Sequence, residues 1–202
     1  MFTVCNMKDL TPSLGAQLSP LLLTPEQAAS LDVHGRTDAA VLVPLFERDG
    51  DLHAVFTRRR DDLRRHAGEI SFPGGRQDPG EDLRDTALRE AHEEIGLDPA
   101  GVELVGALAP TPTVVTSYAI YPFVGVIQPG NEWRPSAGEV AEVLELSLPK
   151  LKQGYARERL VRRGLPFRTD VYKSDGVMIW GATARILGDL FERLDPVLMP
   201  NA

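Results

Sequence analysis

The sequence predicts an α/β protein in which a mixed sheet carries helices on its faces. Strand-like segments precede a helical segment in the middle of the chain, and further strand-like segments follow it. A second helical segment is predicted near the C-terminus. Because strands on both sides of a helix can pair in one sheet while the helices bury its faces, this order favours one layered domain.

The first part of the chain divides into an extension and the start of the sheet. Residues 1–35 are predicted to form an N-terminal extension packed on a domain of residues 36–202. Within the extension, Thr24-Pro25-Glu26 is typical of a helix start. From Asp38 the run AAVLVPLFE predicts a buried strand, Asp49-Gly50 predicts a hairpin turn, and LHAVFTR predicts the second strand.

The remaining strands and the last helix follow from apolar patterns. Strands are predicted at 102–109, 118–127, 139–148 and 176–180. Helical spacing of apolar residues predicts an amphipathic helix at 182–194 that packs on the sheet; these residues are Ile186, Leu187, Leu190, Phe191 and Leu194.

The middle helix has clear boundaries and two different faces. Asp82 or Glu81 is placed to cap its N-terminus, and Gly96 is placed to end it. An apolar stripe predicts the face that packs on the core, and it consists of Leu88, Ala91 and Ile95.

The other face of this helix gathers three carboxylates. Glu90, Glu93 and Glu94 stand at i, i+3 and i+4, so a helix places them together. Like charges at this spacing cost roughly 0.2–0.5 kcal/mol per pair, which favours a cationic partner. Mg²⁺ and Mn²⁺ prefer carboxylate oxygen and complete their coordination with water and phosphate. By spacing alone, a solvated face with ordinary ion pairs is the more frequent explanation of the pattern.

Composition bounds the class of protein. The chain has 202 residues, 43% hydrophobic and 25% charged, which suits one substantial core. Its net charge of -7 argues against broad binding of nucleic acid, since such binding needs Lys and Arg to neutralise phosphates. No apolar run approaches the roughly 20 residues of a membrane span. The N-terminus lacks a signal-peptide pattern and Cys5 has no second cysteine to pair with, so a cytoplasmic location is expected.

A longer motif surrounds the three glutamates. The spacing G-x5-E-x7-R-E-U-x-E-E-x-G-U, where U is apolar, is met by Gly75, Glu81, Arg89, Glu90, Ala91, Glu93, Glu94, Gly96 and Leu97. The run GGRQDPGEDLRDTALREAHEEIGL resembles the signature of the Nudix hydrolases. The resemblance implies a Nudix-type α/β/α sandwich and metal-dependent hydrolysis of a nucleoside diphosphate linked to another group.

Roles for the residues of this motif follow from their chemistry. Glu90, Glu93 and Glu94 are the candidate ligands of Mg²⁺ or Mn²⁺ and the candidate catalytic carboxylates. Arg89 is within reach of Glu93 at i+4 and of Glu81, and we assign it the task of orienting carboxylates.

A second motif precedes the first and shares Gly75 with it. The spacing T-x-R-x4-R-x3-G-x3-F-P-G-G is met by Thr57, Arg59, Arg64, Gly68, Phe72, Gly74 and Gly75. It resembles the signature of the coenzyme A pyrophosphatase branch of the Nudix hydrolases, which splits coenzyme A into 3′,5′-ADP and 4′-phosphopantetheine. The resemblance implies that these residues bind a small coenzyme A-type substrate. From charge pattern alone, RRRDDLRR is as well explained as a surface segment with internal ion pairs.

Two departures from the pattern of that branch involve three positions. The branch usually has two leucines where this chain has Val55 and Phe56, and a small residue where it has Arg60. Arg60 adds positive charge beside Arg59, so its placement bears on how the substrate is held. Arg59 and Arg64 remain the candidates for the anionic end of the ligand, because guanidinium groups bind phosphate bidentately.

The general base is open at this level. Glu93 or Glu90 can serve within the motif, Glu139 is a candidate outside it, and Glu69 is a second. His66 and His92 are further candidates, although lone histidines beside a motif are more often structural.

Other activities also remain open. They are hydrolysis of ADP-ribose, NADH or a damaged nucleoside triphosphate, and a non-catalytic nucleotide-binding regulator. The sequence leaves open whether the molecule forms a homodimer.

Overall fold

The computed structural model describes residues 12–31, 33–62, 68–113, 117–162 and 164–198. The helices are α1 (Leu14–Leu18), α2 (Pro25–Ala29), α3 (Leu83–Ile95), α4 (Leu148–Gln153) and α5 (Gly181–Leu198). The first seven strands are β1 (Thr37–Arg48), β2 (Asp51–Arg59), β3 (Ile70–Ser71), β4 (Gly74–Arg76), β5 (Glu103–Ala107), β6 (Thr111–Pro112) and β7 (Tyr118–Val126). The last four are β8 (Val140–Ser147), β9 (Tyr155–Arg162), β10 (Leu165–Ser174) and β11 (Val177–Trp180).

The main sheet is mixed, as the sequence predicted. Its central order is β3-β2-β1-β7-β5, with β4 beside β1, β8 beside β2 and β6 beside β7. Strand β1 runs parallel to β7 and antiparallel to β2. The turn between β1 and β2 has positive φ angles of 56° at Asp49 and 81° at Gly50. Positive φ at both central residues is typical of a tight hairpin turn, which confirms the predicted hairpin.

Alternation along β1 places helices on both faces of the sheet. Ala40, Leu42 and Phe46 belong to the apolar cluster that includes buried residues of α3. Val43 and Leu45 belong to the cluster that includes the buried side of α5. Because alternate residues of a strand point to opposite faces, the sheet lies between these two helices. The predicted α/β/α layering is therefore confirmed.

The sheet opens on the side where β4 joins it. One end of β1 pairs with β2, over Leu45–Arg48 against Asp51–Ala54, and the other end pairs with β4. The second half of β2 pairs on that same edge with β3, and its other edge pairs with β8 from His53 to Arg59. Helix α3 packs against β4 and also contacts β8, and the candidate site lies beside these contacts.

Helix α3 begins and ends where the sequence predicted. The Asp82 side chain accepts a hydrogen bond from the Arg84 amide at 2.8 Å and caps the N-terminus. Gly96 has φ 72°, and its amide donates to the His92 carbonyl at 2.9 Å. A left-handed residue at this position is usually glycine, because a Cβ would be strained there.

A second sheet was not predicted from the sequence. Strands β9 and β10 form a hairpin, and β10 also pairs with β11. In β9 every second residue from Tyr155 to Val161 is exposed, and the residues between them are only partly buried. A strand without a fully buried face lacks the apolar alternation on which strand prediction depends. The short elements α1, α4, β3, β4 and β6 were also not predicted.

The described part of the N-terminal extension contacts the main sheet. Leu18 is fully buried in the cluster that includes α5. Leu23 and Ala107 exchange two backbone hydrogen bonds, of 3.0 and 2.8 Å. No helix among the described residues has the length and apolar character needed to cross a membrane.

Candidate active site

The two glycines of β4 lie directly against the carboxylates of α3. The Gly74 amide donates a hydrogen bond to Glu94 Oε2 at 3.2 Å. A Cβ added to Gly75 would lie 2.5 Å from the carboxyl carbon of Glu90. Gly74 has φ 157°, and a Cβ there would lie 2.3 Å from the Ala40 carbonyl oxygen. The lack of a side chain at Gly75 therefore allows the close approach of Glu90, and the lack of one at Gly74 allows the close approach of the β1 backbone.

Arg89 joins the other acidic residues of the motif. Its Nε and Nη2 donate to the two carboxylate oxygens of Glu81 at 2.8 and 3.0 Å. Its Nη1 donates to Glu90 at 2.9 Å and to Glu93 at 3.3 Å. A guanidinium that binds one carboxylate bidentately is held in a fixed plane, so it also fixes the direction of the second carboxylate.

A threonine not identified from the sequence completes this network. Thr86 is fully buried, and its hydroxyl donates to Glu81 Oε2 at 2.7 Å. The hydrogen bonds of Arg89 and Thr86 hold the pKa of Glu81 at about 2, well below its usual range. Glu81 is therefore ionised near neutral pH and serves as a structural partner of Arg89.

Burial has the opposite effect on the other two carboxylates. Burial raises the pKa of Glu94 to about 7; the Gly74 amide opposes this shift, and Glu90 adds to it. Burial also raises the pKa of Glu90, and Arg89 opposes this shift. The two carboxylates therefore share a partly desolvated site in which a second positive charge, besides that of Arg89, would be stabilising.

These residues fit a magnesium or manganese ion that is completed by substrate. Glu90 and Glu94 flank the glycines of β4, whereas the Glu93 side chain is 58% exposed and contacts Arg89. Among the described residues no three acidic, histidine or cysteine side chains converge into a ready-made metal cage. Mg²⁺ commonly uses one or two carboxylates together with water and phosphate oxygens, so a pair of carboxylates suits it.

A β-bulge brings Arg59 and Glu139 to the same site. In the pairing of β2 with β8, Arg58 lies opposite Glu142 but Arg59 lies opposite Val140, so the register shifts between them. Arg59 Nη1 lies 3.7 Å from Glu139 Oε2. Both side chains are close enough to affect the pKa of Glu94, which Arg59 lowers and Glu139 raises. A bulge redirects side chains locally, and here it directs one cation and one carboxylate of the prediction toward Glu94.

The segment before β8 is attached to the end of α3. The Arg134 amide donates to the Ile95 carbonyl at 2.9 Å, and the Ser136 amide donates to the Glu94 carbonyl at 2.8 Å. The last carbonyls of a helix have no partner within it, so this segment satisfies them. It also fixes Glu139 relative to the helix. Spacing in the sequence gave no signal for this attachment.

The other residues of the second motif have structural contacts. Thr57 is buried, and its hydroxyl lies 3.3 Å from the Ser71 carbonyl. Phe72 is 2% exposed and stacks on Phe56 with ring centroids 4.6 Å apart. Gly68 has φ 67°, and its amide donates to the Arg59 carbonyl at 3.2 Å. These three residues support the loop between β2 and β3 from within the fold.

Of the remaining candidates, the structure describes His92 and Glu69, whereas Arg64 and His66 lie outside the described residues. His92 is exposed, with Nδ1 3.1 Å from the Leu97 carbonyl at the end of α3. The carbonyl of Glu69 accepts a hydrogen bond from the Arg59 amide at 3.0 Å, which places the Glu69 backbone beside Arg59, just before β3.

The chain is similar to known proteins of one family. A family model described as the NUDIX domain matches residues 36–163. A protein of Enterobacter sp. (strain 638) named "Uncharacterized Nudix hydrolase NudL" is 37% identical over 172 residues, which cover 84% of this chain and 88% of the relative. A protein of the same name from Salmonella paratyphi B is 39% identical over 155 residues, which cover 75% and 80%.

These matches establish the family. The chain belongs to the Nudix family, and it is a Nudix hydrolase of nucleoside diphosphate derivatives. Among solved structures, a MutT/nudix family protein from Enterococcus faecalis resembles the fold with a TM-score of 0.55 and 14% identity, over 91% of this chain and 70% of that one. The fold class predicted from the sequence is therefore confirmed.

Proposed function

We propose that this protein hydrolyses the diphosphate bond of coenzyme A or its derivatives. The products would be 3′,5′-ADP and 4′-phosphopantetheine, or the acylated form of the latter. The observation that carries the proposal is the position of Arg59. It is a residue of the second motif, and it lies close enough to Glu94 to lower the pKa of that carboxyl.

The substrate supplies a reason for an arginine at this place. Coenzyme A has a 3′-phosphate in addition to its diphosphate, so it brings more negative charge than ADP-ribose. Glu90 and Glu94 lie on the acidic side of the site, and Arg59 lies at its edge. A guanidinium stays charged at any working pH and donates two parallel hydrogen bonds to phosphate oxygens, so Arg59 suits the anionic nucleotide end. We assign Arg64 to the same task from the motif.

The chemistry requires a water to attack phosphorus in line with the leaving oxygen. Glu90 and Glu94 would hold Mg²⁺ or Mn²⁺, which supplies positive charge against the diphosphate oxygens when bound. Glu81 holds the guanidinium of Arg89, and Arg89 in turn keeps Glu90 in its orientation. The Gly74 amide donates to the Glu94 carboxylate and keeps it in its orientation. As the oxygen–phosphorus bond forms on one side, the bond to the bridging oxygen breaks on the other.

We assign the general base to Glu139. Its side chain is 57% exposed, so water and substrate can reach it. Its contact with Arg59 at 3.7 Å is long for an ion pair, and a substrate phosphate that recruits Arg59 would release it. Glu139 would then take the proton of the attacking water.

The decisive experiment is product identification by mass spectrometry. The protein is incubated with coenzyme A, dephospho-coenzyme A and ADP-ribose in separate reactions, each with Mg²⁺ or Mn²⁺. The proposal expects 3′,5′-ADP and 4′-phosphopantetheine from coenzyme A, and a lower kcat/KM for the two compounds without a 3′-phosphate. An equal kcat/KM for all three compounds would show that the 3′-phosphate is not recognised, and the role proposed for Arg59 and Arg64 would be wrong. No metal-dependent turnover of any nucleotide would favour a binding protein.

A pair of neighbouring arginines provides the control. Arg59→Ala should raise the KM for coenzyme A and leave that for dephospho-coenzyme A nearly unchanged. Arg58 precedes it on the same strand and pairs with Glu142 at 3.2 Å. Arg58→Ala removes the same charge without affecting the predicted phosphate contact, so it should not change the ratio of the two KM values.

A further inference from the structure

We propose that Arg60 is a positioning residue that fixes the segment bearing Glu139. The inference rests on the proposed hydrolase function, since it concerns the alignment of that carboxylate. Arg60 is one of the positions at which the sequence departs from the coenzyme A branch, and it adds positive charge beside Arg59. The structure gives its guanidinium a different set of partners.

Each of the three guanidinium nitrogens of Arg60 donates a hydrogen bond to a protein group. Its Nε and Nη2 donate to the two carboxylate oxygens of Asp62 at 2.9 and 2.8 Å. Its Nη1 donates to the Ala137 carbonyl at 2.5 Å. The bidentate bond to Asp62 fixes the plane of the guanidinium, and this leaves Nη1 aimed at the segment before β8.

The backbone of Arg60 contacts the same segment. Its amide donates to the Glu139 carbonyl at 3.1 Å, and the Glu139 amide donates to the Ser136 carbonyl at 3.1 Å. Residues 136–139, which we call the Glu139 loop, are therefore held at three points. Ser136 is attached to α3, Ala137 to the side chain of Arg60, and Glu139 to the backbone of Arg60.

Glycine in this loop explains why a side-chain contact is needed. Gly138 lies between the two points that Arg60 holds, and a Cβ there would meet no atom within 4 Å. Glycine has more backbone freedom than other residues, so the peptide between Ala137 and Glu139 is free to rotate unless its ends are fixed. The bond from Arg60 to Ala137 restricts this rotation. It acts next to the residue whose direction matters for the reaction.

Three consecutive arginines thus divide their tasks. Arg58 pairs with Glu142 on β8, Arg59 faces Glu139 and the site, and Arg60 holds the backbone of the Glu139 loop. Of the three, Arg59 is the one whose charge acts on Glu94. The extra cation relative to the branch therefore contributes to alignment of Glu139.

The first test measures the loop directly, by hydrogen–deuterium exchange of the full chain without substrate. Arg60→Ala should increase exchange of the amides of residues 136–139 and leave α3 unchanged. Arg84 provides a matched control, because it is also exposed and binds an aspartate two residues away through Nε and Nη2, at 3.0 and 3.4 Å. Arg84→Ala should leave the loop unchanged. Unchanged exchange in Arg60→Ala would overturn the proposal.

The second test asks whether Arg60 acts through Glu139. Arg60→Ala should lower kcat about fivefold with KM nearly constant, since of the three side-chain hydrogen bonds that are lost only the one to the Ala137 carbonyl holds the Glu139 loop. In a Glu139→Gln background the same change should have no further effect on kcat. Arg60→Lys should recover part of the loss, because lysine can still donate to the Ala137 carbonyl.

The possible results separate this proposal from the proposed function. An equal fall in kcat in both backgrounds, or a rise in KM alone, would overturn the positioning role. The cycle is measured with any nucleotide that the protein turns over, so a substrate other than coenzyme A leaves it valid. A protein without any turnover would refute the proposed function, whereas the exchange experiment would still decide whether Arg60 fixes the loop.

Discussion

Gly75 and Glu90 are in such close contact that the glycine leaves no room for a side chain. A Cβ built on Gly75 would lie 2.5 Å from the carboxyl carbon and 2.6 Å from either carboxylate oxygen of Glu90. Real Cβ atoms do not approach other atoms this closely. The atoms that would have to move belong to the end of the flexible Glu90 side chain. The fold can therefore accommodate an alanine at position 75, but the Glu90 carboxylate would be displaced.

Gly75→Ala should therefore separate activity from folding. We expect turnover to fall by roughly a hundredfold, because a carboxylate displaced by about 1 Å no longer aligns its ligand. The melting temperature should change by only a few degrees. The measurement is kcat alongside thermal unfolding.

Gly101→Ala is the control for this substitution. A Cβ at Gly101 meets no atom within 4 Å, and its φ angle is not positive. It should leave both quantities close to those of the wild type. If Gly75→Ala kept wild-type turnover, Glu90 would not need its present position.

The three glutamates of α3 should differ in their effect on metal binding. Glu90→Gln and Glu94→Gln should each lower turnover by roughly a thousandfold, because charge stabilisation in the transition state is lost. They should also abolish the rise in melting temperature that Mn²⁺ gives the wild type. Glu93→Gln should retain most of that rise, since its side chain is 58% exposed. Equal losses for all three would show that Glu93 is a ligand as well.

Without divalent metal, stability should fall as the pH rises. The pKa of Glu94 is raised from 4.5 to about 7 in the folded state, so the folded protein holds its proton more tightly than the unfolded chain does. The associated stabilisation is complete below pH 4.5 and is lost as the pH rises through about 7. The loss is on the order of 3 kcal/mol, from about 1.4 kcal/mol per pKa unit.

Chemical unfolding in EDTA between pH 5 and pH 8 measures this loss. Glu94→Gln should reduce the pH dependence, because the amide can still accept the Gly74 bond and has no charge to bury. Saturating Mg²⁺ should reduce it in the wild type. A wild-type stability that rose with pH over this range would contradict the raised pKa.

The Glu81 network should give the opposite pH dependence. The pKa of Glu81 is lowered from 4.5 to about 2, so its stabilisation is present above pH 4.5 and is lost as the pH falls toward 2. Glu81→Gln should therefore cost stability at pH 7 and cost little at pH 2. Unfolding curves at the two pH values provide the comparison.

Thr86→Val tests the same network from its buried side. Valine keeps the shape of threonine but cannot donate the 2.7 Å bond to Glu81. We expect a loss of about 1–2 kcal/mol of stability, because a buried hydrogen bond to a charged group is removed. Turnover should also fall, since Glu81 fixes Arg89 and Arg89 fixes Glu90. Thr86→Ser should restore both quantities in large part.

The sequence determined the helix that carries the chemistry, together with its two ends. The i, i+3, i+4 spacing of the glutamates, the cap at Asp82 and the end at Gly96 involve residues close together in the chain, so the sequence alone predicts them. The longer strands of the main sheet, β1, β2, β5, β7 and β8, were predictable for the same reason, since their apolar patterns reflect a buried face. Strands β9 and β10 were not predictable, because their exposed residues erase that alternation.

Only the tertiary structure decided which charges meet. Arg59 and Glu139 are distant in sequence, and the bulge between β2 and β8 brings them beside Glu94. The roles of Thr86 and Arg60 also depend on the tertiary structure. Thr86 acts through its hydrogen bond to Glu81 and Arg60 through its bond to the Ala137 carbonyl, and the spacing of residues in the sequence defines neither bond. Local periodicity fixes what a segment becomes, whereas long-range contacts fix the distances and the desolvation that set pKa values. For that reason the sequence identified the carboxylates of this Nudix hydrolase, whereas the fold determined their partners and shifted the pKa values of Glu81 and Glu94 in opposite directions.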